Sequence, residues 1–288
     1  MTDPLAGHRA GTTFLEYPPS TRLRGLVWSV WVQHVRAQDD RYSHRTAPDG
    51  GVHLVHRLGG GVGIRGPRTR PSVEILEPGV TVVGVRLWPG AASGLLRVSG
   101  GDLRDAHVAI EDLPGRWEML SDRLAAATSP REAVGVFLHQ LAVEAADGVA
   151  ADPVVQRCVR CLLPGGARGV GEVASDAGVS GRRLRGLFDV HVGVSPKALQ
   201  GVFRMQGVLA DIQMALAGPQ RRGAGVSLAS LAATHGYFDQ AHLTRDFRRL
   251  VGASPGEFVA QTEGQCGVHH DHAAGFRPLG VQRLSGRH

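Results

Sequence analysis

Lysine is nearly missing from this sequence: Lys197 is the one basic residue of 32 that is not arginine. Cysteine is also scarce, with Cys158, Cys161 and Cys266 too few for a disulfide framework. No apolar run approaches the roughly 20 residues that a bilayer-crossing helix needs. The opening Met1-Thr2-Asp3-Pro4 lacks the basic patch and apolar stretch of a secretory signal. These absences exclude secreted disulfide scaffolds and helical membrane proteins, and they predict a cytoplasmic chain. A nucleophile elbow, a phosphate loop and a catalytic acid pair are missing too, so the expectation is a protein that is not an enzyme, with no cofactor and no metal.

What is there suffices for two domains. The chain has 288 residues, 42% of them hydrophobic, and a mean hydropathy of −0.08. Its net charge of +6 is unevenly placed. Residues 1–150 hold 16 arginines against 16 acids, whereas residues 151–288 hold 15 arginines and Lys197 against 10 acids. A basic half beside a neutral one points to a polyanion as partner of the C-terminal half.

Strand-like alternation marks the N-terminal half after an opening loop. Val27–Val32, Val52–His56 and Val80–Leu87 are rich in β-branched and aromatic residues, and Pro48-Asp49-Gly50-Gly51, Gly59-Gly60-Gly61 and Pro78-Gly79 supply turns. Helices are expected from Ala91. The clearest runs from Pro130 to Asp147, with Val134, Phe137, Leu138, Leu141, Ala142 and Ala145 on one face and Glu132, Gln140 and Glu144 outside it. Its apolar stripe has two uses, covering the sheet or pairing with a second chain. Beyond Pro153 the strand signal stops. The reading is therefore α+β: residues 1–150 mainly β (a small sheet or partial barrel plus helices), residues 153–262 all-α, and a disordered tail over 263–288. Cys158 and Cys161 lie in an apolar stretch that reads as helix, where i and i+3 share the buried face; a redox or metal pair is the alternative.

The C-terminal half repeats itself. Ala174, Gly178, Val179, Leu184, Phe188, Gly193 and Ser195-Pro196 recur as Ala232, Gly236, Tyr237, Leu243, Phe247, Gly252 and Ser254-Pro255. The offset is 58 residues through Val179 and Tyr237 and 59 from Leu184 and Leu243 on, which requires one inserted residue in the second turn. A small residue where helices cross, a glycine for a turn with positive φ, and an i, i+4 apolar pair burying one face are what a helix-turn-helix needs. Gly193 and Gly252 stop the second helices, and Ser-Pro starts the next as N-cap and N1.

The stretch Leu231–Arg249, with Gly252 and Ser254-Pro255, resembles the signature of AraC/XylS-type transcription regulators. The resemblance implies seven helices, with a linker helix at about Pro196–Leu216 joining two tandem helix-turn-helix units. Each unit offers its second helix to a major groove. The N-terminal half more loosely resembles a small β-rich domain found on some members, in which a strand begins with a Pro-Asp-Gly like Pro48-Asp49-Gly50. Carried over, the first recognition helix exposes Arg182, Arg183 and Arg185. Of these, Arg182 and Arg185 stand where the family reads base edges, and arginine pairs bidentately with guanine. The second exposes Gln240, His242, Thr244 and Arg245. Gln240 suits adenine, Thr244 a thymine methyl or phosphate, and Arg248 and Arg249 phosphates. Gly186 departs from the pattern, standing where its repeat partner is Arg245, and Gly201 and Gly207 are expected to interrupt the linker helix.

Expected partners are double-stranded promoter or operator DNA, RNA polymerase, a small-molecule effector at the N-terminal domain and a second copy of the chain; a membrane is not among them. The competing reading is a metal-dependent β-barrel enzyme or a DNA-repair protein fused to a targeting module. His53 and His56 argue against the first, since i and i+3 on a strand point to opposite faces and no carboxylate stands at ligand spacing. The second needs a reactive cysteine in the N-terminal half, which has none. Cys266, His269, His270 and His272 offer metal-binding side chains without a preorganised shell.

Overall fold

A computed structural model describes residues 13–113, 117–146, 151–163, 168–217 and 227–265. Eight strands come first: β1 (Thr13–Tyr17), β2 (Val27–His34), β3 (Tyr42–Thr46), β4 (Val52–Arg57), β5 (Val62–Arg65), β6 (Ser72–Leu76), β7 (Thr81–Leu87) and, after two short helices, β8 (His107–Ala109). Six form an antiparallel sheet in the order β1-β2-β7-β4-β5-β8, while β3 and β6 pair as a separate ribbon. Alternation sorts the side chains. Val30, Val32, Leu54, Ile64, Val83 and Val85 face one core; Trp31, Val55 and Val82 face another, closed by Leu76 of the ribbon. The ribbon is tied to the sheet by the ion pair of Arg65 with Glu74 at 2.7 Å and by Phe14, stacked between Trp31 and His44.

The short helices are α1 (Ala92–Leu96) and α2 (Gly100–Leu103); α3 (Glu118–Ala125) and α4 (Pro130–Ala146) follow β8. Phe137 and Leu141 of α4 are fully buried in the sheet's first core, so the apolar stripe of that helix covers the sheet. Two features differ from expectation. The supposed opening loop contains β1, an edge strand that pairs with β2 alone. Gln140 and Glu144 are buried rather than outward, and the Gln140 amide donates to the Glu144 carboxylate at 2.9 Å. Polar side chains tolerate such burial when they satisfy each other.

Seven helices complete the described chain: α5 (Pro153–Cys161), α6 (Val170–Asp176), α7 (Gly181–His191), α8 (Pro196–Ala217), α9 (Leu228–Thr234), α10 (Gln240–Val251) and α11 (Pro255–Gln265). Asp152 caps α5 through the amides of Val154 and Val155, at 2.8 and 3.0 Å. Cys158 lies buried and Cys161 half-buried in the core below it. Helix α8 is continuous through Gly201 and Gly207, contrary to expectation. Two glycines cost about 0.5–1 kcal/mol each, less than the burial of Leu199, Phe203, Val208 and Ile212 along the same helix stabilises. Its first half packs with α5, α6 and α7, its second with α9, α10 and α11. At 22 residues it spans about 33 Å. Of the tail expected over 263–288, α11 takes the start; Cys266, His269, His270 and His272 lie outside the described residues. Among the described residues no helix is long and apolar enough to cross a membrane.

Candidate nucleic-acid interface

The repeat is a repeat of geometry. Helix α6 ends at Asp176, Gly178 takes φ +68°, and the Val179 amide donates back to the Ala174 carbonyl at 3.0 Å. Helix α9 ends at Thr234, Gly236 takes φ +67°, and the Tyr237 amide donates to the Ala232 carbonyl at 2.9 Å. Ser180 caps α7 by accepting from the Arg183 amide at 3.1 Å, and Asp239 caps α10 by accepting from the His242 amide at 2.6 Å. Such caps satisfy amides that have no partner within the helix. Leu184 and Phe188, like Leu243 and Phe247, are fully buried. The helices stop at Gly193, φ +84°, and Gly252, φ +74°.

With those faces buried, the opposite faces carry charge. Arg182, Arg183, Arg185 and Gly186 are exposed along α7, and Gln240, Arg245, Arg248 and Arg249 along α10. Two of the expected contact residues are half-covered. The Thr244 hydroxyl donates to the Gln240 carbonyl at 2.9 Å, and His242 sets its ring edge-on to Tyr237 at 5.1 Å, with Asp246 at 4.0 Å. Asp246 also holds Arg249 at 2.9 Å. The linker helix braces the second turn: Arg204 lies over the Tyr237 ring at 5.1 Å and donates to the Gly236 carbonyl at 3.2 Å.

The strand-rich domain reaches this interface from behind. Trp28 is buried in the core of the first unit, with Phe203 of α8 at 6.1 Å. Beneath it lies a charged cluster that spacing alone did not show. The Asp49 carboxylate bonds Arg86 at 2.9 Å and His53 at 2.8 Å, so His53 does have a carboxylate beside it. Burial alone would raise Asp49; Arg86 and then His53 outweigh it and hold the carboxyl well below the usual range. Arg86 also lies 4.3 Å over the Trp28 ring. Nearby, burial pushes Glu16 up although its partner Ser29 and Arg86 oppose the shift. His56 faces the other core, fully buried, with its Nδ1 3.3 Å from the Gly61 carbonyl. Among the described residues no group of three or more His, Cys, Asp or Glu could hold a metal ion.

Helices α7 and α10 are both gripped at their carbonyl ends. Arg104, following α2, donates to the Gly193 carbonyl and pairs with Asp189. Arg45 of β3 donates to the carbonyls of Val251 and Gly252 at 3.4 and 3.2 Å. Ser93 of α1 meets His191 at 3.0 Å, and the Gln206 amide of α8 donates to the Pro48 carbonyl at 2.6 Å.

Residues 173–261 match a family described as a helix-turn-helix domain, and residues 15–109 match one described as a domain of unknown function (DUF6597). A putative AraC-like transcription regulator of Streptomyces lividans is 33% identical over 110 residues, which are 38% of this chain. The chain matches about a third of that relative's length. Solved structures of ToxT from Vibrio cholerae are similar to it. One, from O395, gives a TM-score of 0.44 at 9% identity, over 87% of this chain and 98% of that one. Another, with unsaturated fatty acid bound, gives 0.40 at 10% identity, over 88% and 97%. Residues 173–261 of this chain are thus a helix-turn-helix domain, similar in part to an AraC-like regulator and carried behind a strand-rich region that matches a separate family.

Proposed function

We propose that this protein regulates transcription by reading two successive major-groove segments of double-stranded DNA, one with α7 and one with α10. The observation that carries the reading is the duplicated geometry. Two turns with matched positive-φ glycines and matched caps bury Leu184 with Phe188 and Leu243 with Phe247, leaving Arg182, Arg185, Gln240 and Arg245 outward. In this reading Arg182, Arg185 and Gln240 address base edges, and Thr244 reaches a methyl or phosphate once its local bond is released. Arg183, Arg248 and Arg249 hold phosphates, and His242 steadies the turn beside its groove contact. A small effector bound in the strand-rich domain would act on the reading helices through Trp28, which packs into the first unit beside Arg86 of the half-buried Asp49–Arg86–His53 cluster.

Selection of bound sites from a random DNA pool by the full chain tests this directly. The expected product is a non-palindromic site with two protected patches about one helical turn apart. Its affinity falls steeply with salt as neutralised phosphates release counterions. A pool that emerges without sequence preference overturns the reading.

A further inference from the structure

Phe238 is 92% exposed, an aromatic side chain almost wholly in solvent at the mouth of the second recognition helix. Isolated surface hydrophobics are ordinary in proteins, but three observations set this one apart. The first is its origin. Gly178 corresponds to Gly236 and Val179 to Tyr237, whereas the cap Ser180 corresponds to Asp239, so the one residue inserted in the second turn is Phe238. The second is its neighbourhood. It precedes the cap of α10 directly, beside exposed Gln240 and Ala241. The third is that its position is fixed. Its amide donates to His242 Nδ1 at 3.5 Å, the same ring packs on Tyr237, and Tyr237 is buried under Arg204 of the linker helix. The turn is thus braced on both sides while the added side chain projects from it.

We infer that Phe238 reads DNA, placing its ring against the C5-methyl group of a thymine in the major-groove segment addressed by α10. The inference rests on the DNA-reading function proposed above. Among the groups presented on the major-groove floor, the thymine methyl is the apolar one, and it distinguishes thymine from every other base. A phenyl ring has no hydrogen bond to offer a base edge or phosphate. It gains by shedding water against a methyl group. The first unit lacks an equivalent residue, while each of α7 and α10 exposes three arginines. The units are thus matched in exposed arginines and differ in this added apolar contact.

The test uses the full chain and a site selected from random DNA. Each thymine of the segment footprinted by α10 is replaced in turn by deoxyuridine, which removes the methyl group alone. The wild-type protein is expected to lose affinity about fourfold at one such position, the equilibrium factor for one buried methyl group. Phe238→Ala is expected to lose as much on the thymine site and to be indifferent to uracil there, while Phe238→Leu retains the discrimination. Because the side chain is exposed, these variants should melt with the wild type. The inference is overturned if Phe238→Ala binds like wild type, if it remains sensitive to the same uracil, or if the selected segment contains no thymine. Unchanged DNA affinity with a lost contact to polymerase or a second copy would assign the ring to a protein surface and overturn it equally. A wild-type chain that shows no sequence preference at all removes the function it rests on, an outcome distinct from each of these.

Discussion

Gly100 and Gly193 meet backbone to backbone: a Cβ on Gly100 would stand 2.6 Å from the Gly193 amide nitrogen, and one on Gly193 would overlap the Gly100 carbonyl. Ninety-three positions apart in the chain, they join the strand-rich domain to the end of the first recognition helix. Gly100→Ala is expected to destabilise the protein by about 1–3 kcal/mol, the usual range for overpacking. Gly135→Ala is the contrasting control, since its Cβ meets nothing within 4 Å on the exposed side of α4. It should stabilise by about 0.5–1 kcal/mol. Thermal melts with the same sign for both would show that the domains are not held at this contact.

Arg245→Ala should weaken binding to the selected site by about 1–3 kcal/mol and relax preference at one base pair if that arginine addresses a base edge. Its guanidinium is exposed and makes one local bond, to the Ala241 carbonyl at 3.4 Å, so folding stability should hardly change. A uniform loss across all sites, with no relaxation, would reassign it to a phosphate. Titration of wild type and variant on matched and mismatched duplexes reads the difference.

Gly186→Arg should tighten binding. A Cβ at Gly186 meets nothing within 4 Å, the residue is exposed in mid-helix, and leaving glycine there costs about 0.5–1 kcal/mol of helix stability relative to alanine. Weaker binding by this variant in the same titration would mean that α7 needs close approach to the DNA at that point.

Trp28→Ala should destabilise the chain by about 3–5 kcal/mol, the range for deleting a buried aromatic ring. The ring packs tilted against Trp88 at 4.1 Å and belongs to the core of the first unit, so the loss should appear in denaturant melts followed through that unit. A loss confined to the strand-rich domain would contradict this packing.

His44 links stability to pH. Burial lowers its pKa from 6.5 to about 4, with Glu74 opposing and Arg65 adding to the shift. A histidine kept neutral in the folded state lets the unfolded chain bind the extra proton. Its contribution is therefore full above pH 6.5 and is lost as pH falls towards 4. Between pH 7 and pH 5 the loss is on the order of 2 kcal/mol. His44→Phe should flatten that part of the profile. An unchanged slope between pH 7 and 5 would remove His44 as its source.

The repeat was legible because everything that specifies it is local. Gly178 and Gly236 bend, Ser180 and Asp239 cap, and Leu184 with Phe188 repeats one turn apart, all within a dozen residues. The linker helix and its approximate bounds come from the resemblance to AraC/XylS-type regulators, not from periodicity. β1, β3 and β6 were not legible: each is five residues long, β3 and β6 carry many polar side chains, and those two are fixed by pairing with each other about 30 residues apart. Asp49 and Arg86 are 37 positions apart, and nothing in either stretch announces the other. The resemblance names His242 as a groove residue; its edge-on packing against Tyr237 is a ring contact that no spacing encodes. The inserted residue of the second turn was visible as an offset of one, but its exposure had to be seen.

The grip of Arg104 and Arg45 on the tails of the two recognition helices, with the long α8 between them, makes the molecule a caliper with its jaws locked. Arginine at a helix's carbonyl end also offsets its partial negative charge. On the function proposed above, jaws fixed in this way measure phase as well as sequence. One base pair added between the two segments turns the second by about a tenth of a revolution, and a locked caliper has no slack to follow it.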